Sequence, residues 1–420
     1  MRMTHPARIG RAFAIVTVLS SATTAIPGQS VGQTRVGVPG SPLAIEPMTT
    51  IGAEEAGYFE DPYPVRLAPS RAKQGISFSG TTRAVMHCDY PLSAGCFSWA
   101  PVRISAGTLS AQIAAVGDQF TNFQNLNVFR ADGGRWHAVL AIGVKKPGAR
   151  SHWTVLVHAH PTTSASPDRV PLAWTADTVL SGSFSTEVQG NYDGKYYEDE
   201  GQLYLLYVKN FVRPPMLRNG IVIQRMLSPR RPAPDEPVTL LTTGDRFGSL
   251  SSERYDHTPA KLVEAPYISK IGGKYALIYS TGAYEFADYK VGVAWSDTLL
   301  PAPNGRYRKV LQTDVAGVWG QAGRPEVRYL LQSQQPTWPN YTPGQVFGPG
   351  VASALRVPDG AWDLFFAGYD YADRPIAANP PDAHHRRPYF VQLRAAVPAD
   401  QSVSTATDAE LAGWLNPQTR

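Results

Sequence analysis

A single carboxylate, Glu264, sits in an apolar run, Lys261–Leu–Val–Glu264–Ala–Pro266–Tyr–Ile–Ser, just ahead of a glycine turn and a second tyrosine-rich strand. Burying an ionised carboxylate costs several kcal/mol unless it is paired or stays protonated. A glutamic acid kept neutral near pH 7 can act as a general acid. The alternative for Glu264 is a core carboxylate bonded to a neighbouring Arg or Tyr. Two further acidic sites open similar units. Tyr58–Phe–Glu60–Asp61–Pro62–Tyr63 places an Asp–Pro before the first apolar strand, and Asn191–Tyr192–Asp193–Gly–Lys–Tyr–Tyr–Glu198–Asp–Glu–Gly201 places an acid before another hairpin. Carboxylates at the starts of successive β-units converge when those units surround a common axis, as the blades of a propeller do.

The elements that would position them recur through the chain. Four units share a strand, a glycine turn and a second strand rich in aromatics, the turns being Asp132–Gly133–Gly134, Glu200–Gly201, Gly272–Gly273 and Asp359–Gly360. Turns of this kind join antiparallel strands. With the Asp61 unit they make five, repeating every ~60–75 residues, long enough to allow extended loops between strands. The fold class expected is all-β, a five-bladed β-propeller over residues 56–398. Residues 26–55 are a flexible lead-in or a strand clasping the last blade, and 399–420 are a tail with a short helix over Thr407–Leu415.

Composition agrees with this reading. The chain has 420 residues, 43% hydrophobic and 17% charged, with 37 Gly and 36 Pro. That supports a large core with many turns and little helix. The net charge of +5 comes from scattered Lys and Arg, which disfavours nucleic acid as a partner. Arg2, Arg8 and Arg11 precede a short apolar stretch and small residues up to Ala25, the pattern of a signal peptide, so an exported protein without a membrane span is expected. Cys88 and Cys96 are the only cysteines, and in an oxidising compartment they should form a disulfide. His158 and His160 share one strand face but have no third metal ligand nearby in sequence, and His384–His385 fall in a Pro/Arg-rich loop. A metal role is the minority reading for both pairs.

The set Glu60–Asp61–Pro62, Asp193 before Gly201–Gln–Leu–Tyr–Leu, Val263–Glu264–Ala265–Pro266, and Gly348–Pro–Gly350 with Ser353 resembles glycoside hydrolase family 43 and its clan relatives. The resemblance spans about Tyr58 to Leu393. It implies a five-bladed propeller that hydrolyses arabinose- or xylose-containing saccharides with inversion. By that likeness Asp61 is the base that activates water, Glu264 the acid, and Asp193 the residue that orients the acid. Two departures stand out. Val351 takes the place of a histidine that helps hold a central calcium in many members, so no cofactor is expected. No proline follows Asp193, which leaves Asp199 and Asp177 as substitutes for it. Tyr63, Tyr192, Tyr267 and Tyr284 are candidate sugar platforms, with core packing as the competing role. Arg324 is a candidate ligand for a sugar hydroxyl. The partner expected is an oligo- or polysaccharide, bound by a monomer. A non-catalytic sugar-binding propeller is the alternative. A sialidase-like propeller would need repeated Ser-x-Asp-x-Gly-x-x-Trp turns, a fructan- or sucrose-acting relative an Arg–Asp–Pro and a Glu–Cys, and an α/β hydrolase a Gly-x-Ser-x-Gly elbow. The first three motifs are absent, and no Gly-x-Ser-x-Gly elbow falls on a strand–helix turn.

Overall fold

The structure, a computed structural model, describes residues 43–48, 59–68, 74–93, 95–149, 153–182, 190–212, 218–243, 262–284, 288–314, 322–333, 340–342, 345–370 and 386–419. The expected signal peptide and His384–His385 lie outside these residues.

Five sheets of four or five strands make up the described chain, antiparallel except where Arg103–Ser105 pairs in parallel with Ala173–Thr175, with a two-stranded ribbon of Leu311–Asp314 and Arg324–Val327. We number them blades 1 to 5. Their first strands are Tyr63–Arg66, Gln119–Arg130, Asn191–Asp199, Glu264–Ile271 and Val346–Arg356. Each of these touches the first strands of the blades on either side, and Tyr63–Arg66 meets both Gln119–Arg130 and Val346–Arg356, so the ring closes. The core divides in the same way. Leu140 and Val155 of blade 2 pack with Leu67 and Val85 of blade 1. On its other face blade 2 offers Val139 and Leu156 to Tyr196 and Leu205 of blade 3. Leu206 and Ile223 of blade 3 meet Leu277 and Tyr279 of blade 4. Val293 and Trp295 of blade 4 meet Ala352 and Phe366 of blade 5. Phe365 and Phe390 of blade 5 return to Phe78 and Phe97 of blade 1. The molecule is a five-bladed β-propeller.

This sandwiching explains a difference from the expected alternation. Strands that follow the glycine turns, such as Trp136–Lys145 and Lys274–Thr281, are buried at nearly every position because each sheet has a neighbour on both faces. The four glycine turns all join the first strand of a blade to its second. Gly133, Gly201, Gly273 and Gly360 take positive φ there, which a residue with a Cβ adopts only at a cost.

Ile45–Pro47 pairs with Arg387–Ala395, so the start of the described chain closes the last blade. The segment after residue 398 belongs to that blade as well. The helix Asp408–Trp414 is capped by Thr407 and Glu410, and Leu415–Pro417 pairs with Leu393–Ala395. Trp414 meets Trp295 edge-on at 5.2 Å, which fastens this segment to blade 4. One helix, Leu109–Ala115, lies within the body, anchored by Leu109 and Ile113. The Cys88–Cys96 disulfide is formed in blade 1. No described helix is long and apolar enough to cross a membrane.

Candidate active site

The first strands of blades 2 to 5 are interrupted by a bulge, and each bulge holds a non-glycine residue at positive φ: Asn125, Asp193, Ala265 and Val351. A bulge re-aims the side chains around it and is a common device beside active sites. Here the bulges also bond from blade to blade. The Asn125 amide donates to Asp193 Oδ1, and the Ala265 N–H donates to Asp193 Oδ2 at 2.8 Å. The Val351 N–H donates to Ser280 Oγ at 2.7 Å. Asp193 thus holds the peptide that carries Glu264.

Asp61, Asp193 and Glu264 come together at this level, each acting electrostatically on at least one of the others. Asp193 is 7% exposed, whereas Asp61 and Glu264 keep partial access to solvent. Asp61 is held from behind by a tight contact with blade 1. Gly80, at φ 122°, lies so close that a Cβ there would stand 1.6 Å from the Asp61 carbonyl oxygen. Burial, then Asp193 and Glu60, push the Asp61 carboxyl up to about 8, against the opposing pull of Arg386 and Lys195. Burial and Asp193 push Glu264 up to about 8 as well, while a hydrogen bond from Tyr289 favours its ionised form. That bond, Tyr289 Oη to Glu264 Oε1, is 2.7 Å. Burial also raises Asp193, opposed first by Lys195 and then by its two hydrogen bonds.

Four residues that sequence reasoning did not single out complete the site. Asn125 and Tyr289 have been described. Arg386, 3% exposed, lies with its guanidinium carbon 4.9 Å from the centre of the Tyr289 ring and donates to the Ala367 carbonyl at 2.7 Å. Lys195, 6% exposed, projects into the axial cavity. A sequence signal exists for one of them. Asn125, Asp193 and Ala265 each lie eight residues before a positive-φ glycine, Gly133, Gly201 and Gly273, so the turn period marks the bulge position.

The other candidates separate. Asp199 accepts from Tyr275 at 2.7 Å at the far end of its strand. Asp177 lies on an outer strand of blade 2, bonded to His158 Nδ1 at 2.7 Å, His160 Nδ1 at 2.8 Å and Arg230 at 2.6 Å. Neither is among the groups that act electrostatically on Asp61 or Glu264, whereas Asp193 acts on both. Asp177 is nonetheless the third ligand type that the two histidines lack in sequence, brought in by the neighbouring strand. The Arg230 guanidinium already neutralises it and ties blade 2 to a turn of blade 3.

Tyr63 and Tyr267 pack edge-on at 5.7 Å and line the axial cavity, so each spends its ring on the other. Tyr192 accepts from Asn219 at 2.9 Å. Tyr284 is the exposed one, 37% accessible and edge-on to Tyr289 at 6.5 Å. Arg324 opens a strand of the small ribbon, and its side chain lies outside the described atoms.

Val351 offers no side-chain ligand for a metal on the first strand of blade 5.

A model of glycosyl hydrolases family 43 matches residues 130–389. The chain belongs to this family. The match takes in Asp193 and Glu264 and begins after Asp61. No curated protein sequence matches significantly. Solved structures share the fold. A thermostable family-43 glycoside hydrolase aligns with TM-score 0.55 at 17% identity, over 87% of this chain and 93% of its own. An α-L-arabinofuranosidase from Lactobacillus brevis aligns with TM-score 0.53 at 15% identity, over 80% and 91%. An exo-1,5-α-L-arabinanase from a bovine ruminal metagenomic library aligns with TM-score 0.52 at 18% identity, over 87% and 98%. The family 43 chain is accordingly a glycosidase, with its carboxylates gathered at the inner ends of blades 1, 3 and 4.

Proposed function

We propose that this glycosidase hydrolyses arabinose- or xylose-containing saccharides with inversion, with Asp61 as general base and Glu264 as general acid. The observation that carries the reading is Glu264. It is a carboxyl pushed up to about 8 by burial and Asp193, bonded by Tyr289, and under the electrostatic influence of a second carboxyl, Asp61. In the reaction Asp61 takes a proton from water as the water oxygen bonds to the anomeric carbon. The bond from that carbon to the glycosidic oxygen breaks, and Glu264 gives its proton to the departing oxygen. The products are a hemiacetal of inverted configuration and an alcohol.

The active form needs Asp61 ionised and Glu264 protonated. Both carboxyls are pushed up to about 8, with Arg386 pulling each of them down, so the pair shares its protons near neutrality and this order is part of the proposal. Asp193 takes no proton from substrate in this scheme. It fixes the 264–265 peptide and adds the negative charge that keeps Glu264 protonated. Tyr284 is the aromatic best placed to meet a sugar face, being exposed beside Tyr289. The sugar class follows the family resemblance and the arabinose-directed names of the similar structures. Export is part of the same reading, supported by the residue pattern up to Ala25 and by the disulfide.

The test is a screen of aryl α-L-arabinofuranoside, aryl β-D-xyloside and debranched arabinan, with product configuration followed by NMR and Glu264→Gln as control. Turnover with inversion is expected. In Glu264→Gln, hydrolysis should survive only for leaving groups that need no proton. Retention of configuration, or a Glu264→Gln enzyme fully active on arabinan, would overturn the scheme.

A further inference from the structure

A cavity of about 330 Å³ opens between the first strands of blades 1 to 4, lined by Tyr63, Arg66, Lys195, Tyr197, Glu198 and Tyr267 among others. Lys195 enters it from the first strand of blade 3, two residues past Asp193 and directly after the bulge that turns Asp193 toward Glu264. Its ammonium lies 5.8 Å from the centre of the ring of Tyr63, the residue that follows Asp61–Pro62. It makes no hydrogen bond to any described residue; burial lowers its hold on the proton, and Asp193, then Asp61 and Glu264, act electrostatically to keep it charged. A lysine is seldom buried without a fixed partner, because its ammonium loses hydration. Three carboxylates crowded at one axis have the opposite difficulty and need a positive charge nearby. The other cation of the site, Arg386, is committed to the Ala367 carbonyl and the Tyr289 face on the blade 5 side.

We propose that Lys195 is a positioning residue for the carboxylate cluster, its ammonium in the axial cavity supplying the counter-charge that a bound cation would otherwise bring. The inference rests on the glycosidase reading above and deepens it. It assigns to a side chain of this chain a charge that Val351 cannot help to bring. A point charge on a flexible stem suits the role. It lowers the proton affinity of Asp61 and Asp193 without occupying the pocket where water and sugar must fit.

Lys195→Met removes the charge and keeps the stem, and Lys195→Arg keeps the charge. Losing a nearby cation raises carboxylate pKa values, by roughly one unit for a partner at this kind of range. Both limbs of the pH–kcat/KM profile should therefore move about one unit alkaline in Lys195→Met, and Lys195→Arg should restore their positions. A rate lowered by one factor at every pH, with the limbs unmoved, would overturn the proposal. A second readout needs no substrate. The attraction exists only when the carboxylates are ionised, so the melting temperature of Lys195→Met relative to wild type should fall by a few degrees between pH 5 and pH 9. A gap that stays constant with pH would mark Lys195 as packing alone. Finally, wild-type activity should be unchanged by a chelator, and loss on chelation with recovery on calcium would refute the lysine as the axial charge. Should no glycoside be turned over by wild type, the functional reading fails while the thermal comparison still decides the role of Lys195.

Discussion

Removing one hydroxyl, in Tyr289→Phe, isolates the group that tunes the acid. The Tyr289 ring is held independently of its hydroxyl: it lies against the Arg386 guanidinium, and a Cβ on Gly350 would meet it at 2.0 Å. Phenylalanine should therefore keep the ring in place. What is lost is a 2.7 Å bond to Glu264 Oε1. Burial holds the tyrosine hydroxyl well above its ordinary range, so it remains a donor across the working pH. A hydrogen bond to a charged group contributes about 1.5–3 kcal/mol, and 1.36 kcal/mol corresponds to one pKa unit. The bond favours ionised Glu264, so deleting it should raise that carboxyl by about 1–2 units from its position near 8. The basic limb of the pH–kcat/KM profile, set by loss of the acid's proton, should move alkaline by that amount. The acidic limb should stay in place. The assay is the pH dependence of kcat/KM on a substrate with a poor leaving group, for which protonation is required. A basic limb that stays fixed or moves to lower pH would refute the assignment of Glu264 as acid under Tyr289 control.

Asp61→Asn should lower kcat by at least about 10³, within the range of single general-base deletions, while stabilising the protein at alkaline pH. Because the folded carboxyl sits near 8 against 3.8 unfolded, its contribution is intact below about pH 4 and is lost as pH rises through 8. The Asn variant should pull ahead across that window by about 2 kcal/mol after discounting for partial exposure, and parallel melting curves at pH 5 and pH 9 showing no such divergence would contradict this. Gly80→Ala forces a Cβ against the Asp61 carbonyl at 1.6 Å from a φ of 122°. It should cost about 1–3 kcal/mol of stability and more than tenfold in kcat/KM, which denaturant titration and kinetics would check. Replacing both Cys88 and Cys96 by Ser opens a short loop, worth about 2–3 kcal/mol in the loop-entropy account. The variant should melt earlier yet keep its kcat/KM at 25 °C, because the disulfide lies on the outer part of blade 1.

The five-fold architecture was legible in the chain because propeller blades are built from local hairpins. Each glycine turn joins strands adjacent in sequence, so Gly201, Gly273 and Gly360 mark blade order without reference to anything distant. Glu264 was legible for a related reason: a carboxylate in an apolar strand must be explained, whatever it touches. The short cysteine spacing likewise foretold its own disulfide. What lay beyond the sequence are the relations between blades. Choosing Asp193 over Asp177 and Asp199 required knowing that a bulge turns it toward the Ala265 peptide of the next blade, 72 residues away. Tyr289 and Arg386 look like ordinary residues at strand starts until the ring closes and sets one against Glu264 and the other against Tyr289. Lys195 reads locally as one polar position in a tyrosine-rich strand, and only the shared axis gives it three carboxylates to face. Local spacing determines hairpins, whereas side-chain direction at the axis depends on bulges and on packing between sheets that only the closed ring brings together.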